Sequence, residues 1–475
     1  MRGTTKTILM AAALSALAVT GVARAQSASK DPSEAAFRAL YKELVEINTT
    51  ASVGSCTAAA EAMGARLKAA GFPDSDVKVV FPDEHPKSGA LLATLPGSDP
   101  KSGAILLMAH IDVVEAKRED WARDPFKLVE ESGYFYARGA SDDKAMAAIF
   151  TDSLARYKTE GFASKRDIKL ALTCGEEGGQ FNSVPWLLEK YPEAMKATFA
   201  LNEGDDSRLD DKGQPKLLSI QVGEKVYMDY NLEVTNPGGH SSRPVKDNAI
   251  YHLANGLARL GAYDFPIALN DATKAYYEQT AKVELDAEVA GAMRAMVKDP
   301  SNAAAAAILA RDPARNSMMR TTCVATMVEA GHAPNALPQR AKANVNCRIL
   351  PGNDPKVIRD QLDTIVADAA IKITLSAAPD PVSPPPPLTP QIMGPATKVA
   401  SKIWPGTPFI PAMLTGATDG RFTNAAEIPT YGLSGLMAGT DGDSIHGLNE
   451  RIQVKALMNG RRFLYEVVKL YADGK

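Results

Sequence analysis

Residues 104–112 read AILLMAHID, and this run decides the fold. An unbroken apolar stretch of this length makes a strand buried on both faces, and His110 and Asp112, two residues apart, share one side at its carboxyl end. Open α/β sheets bind their ligands at that end. Outward from it, β-rich runs at 77–81, 90–95, 168–174 and 198–202 alternate with helical spacing at 145–157 and 184–190. Two more helices are expected upstream, at 31–45 with Phe37, Leu40, Tyr41, Leu44 and Val45 on one face, and at 58–69, ending at Gly71. The alternation predicts an α/β core, a sheet flanked by helices.

At Lys225 the pattern changes. A long alternating strand at 226–235, a helix at 248–260, an Ala-rich helical stretch, strands at 321–328 and 342–349, a helix at 355–369 and a strand at 371–375 read as an α+β unit. The run PDPVSPPPP at 379–387 admits neither helix nor central strand and reads as a stiff linker. Beyond it the α/β character returns. The expected organisation is therefore a catalytic domain in two pieces, 26–224 and 391–475, with a lid or dimerisation-type domain, 225–378, inserted between them and a linker at 379–390.

The first 25 residues stand apart. Arg2 and Lys6 precede an apolar run at 8–22 and a small-x-small ending, Ala23-Arg24-Ala25, which is the pattern of a cleaved signal peptide and predicts export to the periplasm or medium. The run is shorter than the roughly 20 residues of a membrane helix, so no membrane association is expected after cleavage. Over the whole chain 53 basic and 56 acidic residues give a net charge of −3, with no basic block, which argues against nucleic acid as a partner. Four cysteines, Cys56, Cys174, Cys323 and Cys347, are too scattered for a disulfide framework. Cys323 and Cys347 lie in two consecutive strand-like runs, where a cross-strand bridge is geometrically allowed.

The chemistry sits at element ends. His110 with Asp112 suits a ligand imidazole oriented by a carboxylate, although a lone loop histidine reads the same way. Asp142-Asp143 enters a helix, where an N-cap is the plainer reading. Gly175-Glu176-Glu177-Gly178 is harder to explain structurally, because adjacent carboxylates at a strand end repel. One as a metal ligand and the other as a proton carrier would account for both. Glu203 ends another strand, and His446 supplies a second imidazole far downstream. His110, Asp142, Glu177, Glu203 and His446 together suit two zinc ions about 3.5 to 4 Å apart, with Glu176 left over.

These segments resemble the co-catalytic zinc exopeptidase and deacylase family that includes carboxypeptidase G, acetylornithine deacetylase, succinyl-diaminopimelate desuccinylase and carnosinase. The resemblance also covers Gly239-His240-Ser241-Ser242, Asn335-Ala336-Leu337-Pro338, Thr418-Asp419-Gly420-Arg421-Phe422 and Ile445-His446-Gly447-Leu448-Asn449-Glu450. It implies a zinc-exopeptidase-like mixed sheet, a bridging Asp142, His110 and Glu203 on one Zn2+, Glu177 and His446 on the other, and Co2+ or Mn2+ as substitutes. It further implies Glu176 as general base and acid, Asp112 as the partner of His110, and a cis peptide between Asp142 and Asp143. His240 is implied as oxyanion donor, from the partner subunit where members form homodimers, and Asn335 and Arg421 as substrate contacts. Arg348 reads equally as an assistant to Arg421 or as a strand-edge surface charge.

The expected activity is cleavage of an amide or peptide bond next to a free carboxylate, of dipeptidase or carboxypeptidase type. N-acyl amino acid deacylation is the alternative and a non-catalytic metal- or solute-binding role the remote one. The stretch 265–320 is longer and more helical than a compact second domain needs, and extends the lid or replaces the usual interface.

Overall fold

The computed structural model describes residues 32–474 apart from Gln180, 377–380 and Ser383. The expected signal peptide lies outside the described residues, as does part of the Pro-rich linker. Among the described residues no helix is long and apolar enough to cross a membrane.

The principal sheet has the strand order Val77–Val80, Ala90–Leu95, Asp167–Thr173, Ala104–His110, Phe199–Asn202, Thr430–Gly432, Pro215–Glu224 and Phe409–Leu414, with Arg208–Leu209 paired to Pro215–Glu224 off this path. Every residue of Ala104–His110 is buried. It runs parallel to Asp167–Thr173 on one side and to Phe199–Asn202 on the other. Three carboxyl ends therefore open along one edge, carrying His110, the Cys174–Glu177 turn and Glu203. The outer pairings at the Val77–Val80 side are antiparallel, which makes the sheet mixed.

Helices cover it as the apolar spacing requires. Pro32–Glu46 buries Phe37, Leu40, Tyr41, Leu44 and Val45, the face expected from the sequence. Lys144–Thr159 is buried along most of its length, and the twenty-residue helix Val454–Asp473 packs on the same core.

A second, four-stranded antiparallel sheet has the order Thr322–Ala330, Arg340–Ile349, Val226–Thr235, Lys372–Leu375. Val226–Thr235 alternates strictly between buried and more exposed residues, as a sheet packed on one face does. Its core is closed by the helices Ala249–Gly261 and Pro355–Val366 and is separate from the large one. Cys323 and Cys347 are register partners and are disulfide-bonded.

Two findings differ from the sequence expectation. Four short helices, Asp271–Thr280, Ala287–Lys298, Ala303–Leu309 and Pro313–Met319, neither extend the small sheet nor join its core. Tyr277, Met293, Met296, Leu309 and Met319 belong to the core of the large sheet, and Thr273 lies against Met413 of its edge strand Phe409–Leu414. They protect an edge that would otherwise stand open. The cysteines, in turn, are all paired, since Cys56 and Cys174, 118 residues apart, form a second disulfide.

Candidate active site

The strand ends, with a helix-entry turn and a loop, bring together all five residues expected to hold metal. Asp142 lies in the turn before Lys144–Thr159, and the peptide between Asp142 and Asp143 is cis. Its Oδ1 is 3.0 Å from His110 Nε2 and its Oδ2 is 3.0 Å from His446 Nε2. One carboxylate thus faces two imidazoles with different oxygens. Glu203 Oε1 lies 3.6 Å from His110 Nε2, and Glu177 Oε2 lies 2.8 Å from His446 Nε2. The plainer reading of Asp142 as a helix cap fails, because Asp143 is the N-cap residue and makes no side-chain capping bond.

Burial and the crowding of carboxylates set the electrostatics of this cluster. Burial, then the nearby Glu203, pushes the Glu176 carboxyl up to about 9. Burial and Glu203 likewise raise Asp143. Burial would also raise Asp142, but hydrogen bonds from His110 and His446 pull it below the usual range. Hydrogen bonds to Asp142 and Glu177 lift His446 to about 10. Burial works against charge on His110, yet Glu203, Asp112 and Asp142 raise it well above its ordinary value. Buried carboxylates this close together, with two imidazoles among them, are groups that bound cations would satisfy. The donor set, two imidazoles and three carboxylates with His110, Asp142 and Glu177 atoms inside a 4.8 Å cluster, fits two metal ions.

Asp112 stands beside His110 and also has a task at the neighbouring turn. His110 Nδ1 lies 3.1 Å from the backbone carbonyl of Asp112 and 3.6 Å from its carboxylate. The carboxylate also accepts the backbone N–H groups of Glu176 (3.3 Å) and Glu177 (3.0 Å). It orients the turn that carries both glutamates.

Several further residues hold the site and were not singled out from the sequence. Glu450 is fully buried and accepts the N–H groups of Gly139, Ser141 and Asp142, while Arg138 Nη1 pairs with it at 2.7 Å. Asp143 joins His110 and Glu203 in a second group of close ligand atoms. The buried Lys144 donates to the Ile47 carbonyl at 2.6 Å.

Arg421 lies beside the cluster, with Nη1 3.9 Å from Glu176 Oε1 and donating to the Thr418 carbonyl at 2.8 Å. Thr418 is held by Glu224, whose Oε2 accepts both its N–H and its hydroxyl. His240 and Asn335 meet on the small domain, where Gly239–His240 pairs with Ala336–Leu337 and Ser241 N–H donates to the Asn335 carbonyl. Both side chains face solvent, and His240 Nδ1 accepts the Ser242 N–H at 3.1 Å. Among the described residues no hydrogen bond joins either to the carboxylate cluster. Arg348 stacks over Tyr227 at 4.5 Å on the small sheet.

Comparison with known proteins matches this arrangement. Over 389 residues the chain is 29% identical to the N-fatty-acyl-amino acid synthase/hydrolase of Homo sapiens, covering 80% of this chain and 76% of that protein. It is 25% identical to Aminoacylase-1 of Mus musculus over 440 residues, 91% of this chain and 94% of the other. Among solved structures, an M20 family metallo-carboxypeptidase from Sulfolobus solfataricus superposes with a TM-score of 0.68 at 20% identity, covering 93% and 99% of the two chains. The model of peptidase family M20/M25/M40 matches residues 106–470, which span the whole strand-end cluster from His110 to His446. The chain belongs to that family and is an enzyme that hydrolyses amide or peptide bonds.

Proposed function

We propose that the protein is an exported amidohydrolase that uses two zinc ions to cleave N-acyl amino acids at the amide next to a free carboxylate. The observation that carries this reading is the juxtaposition of Glu176 with Arg421, a proton carrier beside a fork of donors, at the edge of the His110–Asp142–His446 cluster. The acyl side is favoured by the sequence relatives, a fatty-acyl-amino acid hydrolase and an aminoacylase. The dipeptidase or carboxypeptidase reading expected from the sequence differs only in the acyl group, and the same clamp serves it.

The ions, when bound, would acidify water, polarise the scissile carbonyl and offset the crowding of carboxylates. His110, Asp142 and Glu203 would hold one ion, and Asp142, Glu177 and His446 the other. Arg421 pairs with the substrate carboxylate in a two-pronged contact. Glu176 removes a proton from the attacking water and returns it to the departing amine nitrogen, as one carboxyl group near the reacting atoms does in general acid–base catalysis.

His240 is assigned to the oxyanion and Asn335 to the substrate, in a closed homodimer. The support is the long edge strand Thr322–Ala330, which leaves Val324, Met327 and Val328 59 to 71% exposed on the same domain. Such an edge invites pairing with a second copy. Arg348, stacked on Tyr227, is given no substrate role.

The test is hydrolysis of a panel of N-acyl amino acids, dipeptides and acyl-glutamates by the zinc-loaded protein, with Glu176→Gln in parallel. Turnover of acyl amino acids by wild type alone supports the proposal. Turnover of dipeptides only would replace it by the peptidase reading. Zinc binding with no turnover of any panel member would contradict it.

A further inference from the structure

The disulfide between Cys56 and Cys174 stands at the foot of the catalytic turn. Cys174 follows the last residue of the strand Asp167–Thr173 and immediately precedes Gly175-Glu176-Glu177, while Cys56 opens the helix Cys56–Ala69. The helix start is itself fixed: Ser55 N–H donates to the Asn48 carbonyl, and the Thr57 hydroxyl donates to the Pro86 carbonyl at 2.6 Å. Both sulfurs and an oxygen of Asp112 lie within 4.8 Å of one another. That carboxylate receives the backbone N–H groups of Glu176 and Glu177. Gly175 adds a tight bend, with φ of +95° and a Cβ position filled by the Phe181 carbonyl.

The two cysteines are 2% and 6% exposed, yet both line a cavity of about 540 Å³. Asp112, Gly178, Gly179 and Phe181 share its wall. The disulfide-bonded residues thus border a space large enough for a small molecule.

We propose that the Cys56–Cys174 bond positions the Glu176–Glu177 turn, and that a small dithiol entering through this cavity lowers catalysis by opening it. Opening the bond frees Cys174 to shift beside the Asp112 carboxylate, and the two N–H groups that Asp112 aligns lose their fixed support. The chemistry is thiol–disulfide exchange: a thiolate of the reductant attacks one sulfur to form a mixed disulfide, and its second thiol closes a ring. The dithiol loses two electrons and becomes a disulfide, and its two protons end on Cys56 and Cys174.

The inference rests on the functional reading for the role of Glu176, and the experiment separates the two. In a Cys323→Ser/Cys347→Ser variant, where only the Cys56–Cys174 bond remains, kcat is measured before and after dithiothreitol and after reoxidation, alongside zinc content and amide hydrogen exchange of 175–179. The expected result is a tenfold or greater loss of turnover rate with KM within 2-fold, unchanged zinc content, faster exchange of that segment, and recovery on reoxidation. A Cys56→Ser/Cys174→Ser variant should show the slow turnover without reductant and no further response to it. Unchanged turnover and unchanged exchange after confirmed reduction would overturn the inference. Loss of activity that tracks loss of zinc would overturn it as well. If wild type turns over no substrate, the functional reading fails, and the exchange of 175–179 alone decides whether the bond holds the turn.

Discussion

Asp142 offers one oxygen to each of two imidazoles, and this depends on a residue 308 positions away, since the Asp142 N–H is accepted by Glu450. Glu450 and Arg138 form a buried pair, and removing one member leaves the other charge uncompensated, at a cost of about 3 to 5 kcal/mol. Glu450→Ala should therefore lower the unfolding free energy by an amount in that range and also weaken zinc retention; a loss under about 1 kcal/mol would show that the pair does not anchor the turn. Glu176→Gln leaves every assigned ligand intact and should slow turnover roughly 100- to 10,000-fold with zinc content unchanged. A variant that turns over nearly as fast as wild type would remove Glu176 from the chemistry. At this scale the candidate ligands could be picked out in the sequence because adjacent carboxylates such as Glu176 and Glu177 at a strand end are difficult to explain structurally, while the roles of the others came with the family resemblance. The role of Glu450 was not legible, because three of its partners are backbone N–H groups, which leave no trace in residue type, and its side-chain partner Arg138 is remote in sequence.

At the scale of elements, the strand Pro215–Glu224 ends in a residue with two tasks. Glu224 closes the large sheet's strand, with only Lys225 between it and the small domain's strand Val226–Thr235, and it holds Thr418 on the loop of Arg421. Glu224→Ala should raise KM for substrates with a free α-carboxylate roughly 10-fold or more, the worth of a hydrogen bond to a charged group. Amidated substrates should be unaffected, and an equal effect on both would contradict the assignment. The β–α alternation around Ala104–His110 was readable from apolar runs, since strands buried on both faces are continuous in hydrophobicity. The four helices between 271 and 319 were readable as helical, but not the surface they cover, because an amphipathic face does not name its partner. The Cys56–Cys174 bond was hidden for a similar reason: strand order, not sequence proximity, brings its ends together.

For the whole molecule, two cores joined at Lys225 raise the question of how firmly the small domain is built. His252 on the helix Ala249–Gly261 bonds Asp368 at 2.7 Å and Asp247 at 3.1 Å, and the Asp368 bond chiefly raises its pKa. A folded pKa above the unfolded value of about 6.5 means that this support is complete below that pH and is lost as pH rises through the folded value. His252→Gln should accordingly lower the melting temperature more at acidic than at alkaline pH, and a pH-independent difference would contradict the pairing. Which domain each segment joins, and whether His240 serves its own site or that of a second copy, follow from surfaces that the sequence describes only as polar or apolar. The proposed metal centre of the molecule rests on five side chains: His110, Asp142, Glu177, Glu203 and His446 would hold the two ions. Metal analysis of the zinc-loaded, desalted chain tests this most directly. Two equivalents per chain in wild type and loss of both in Asp142→Asn are the predicted result, whereas one equivalent in wild type, or two retained in the variant, would contradict it.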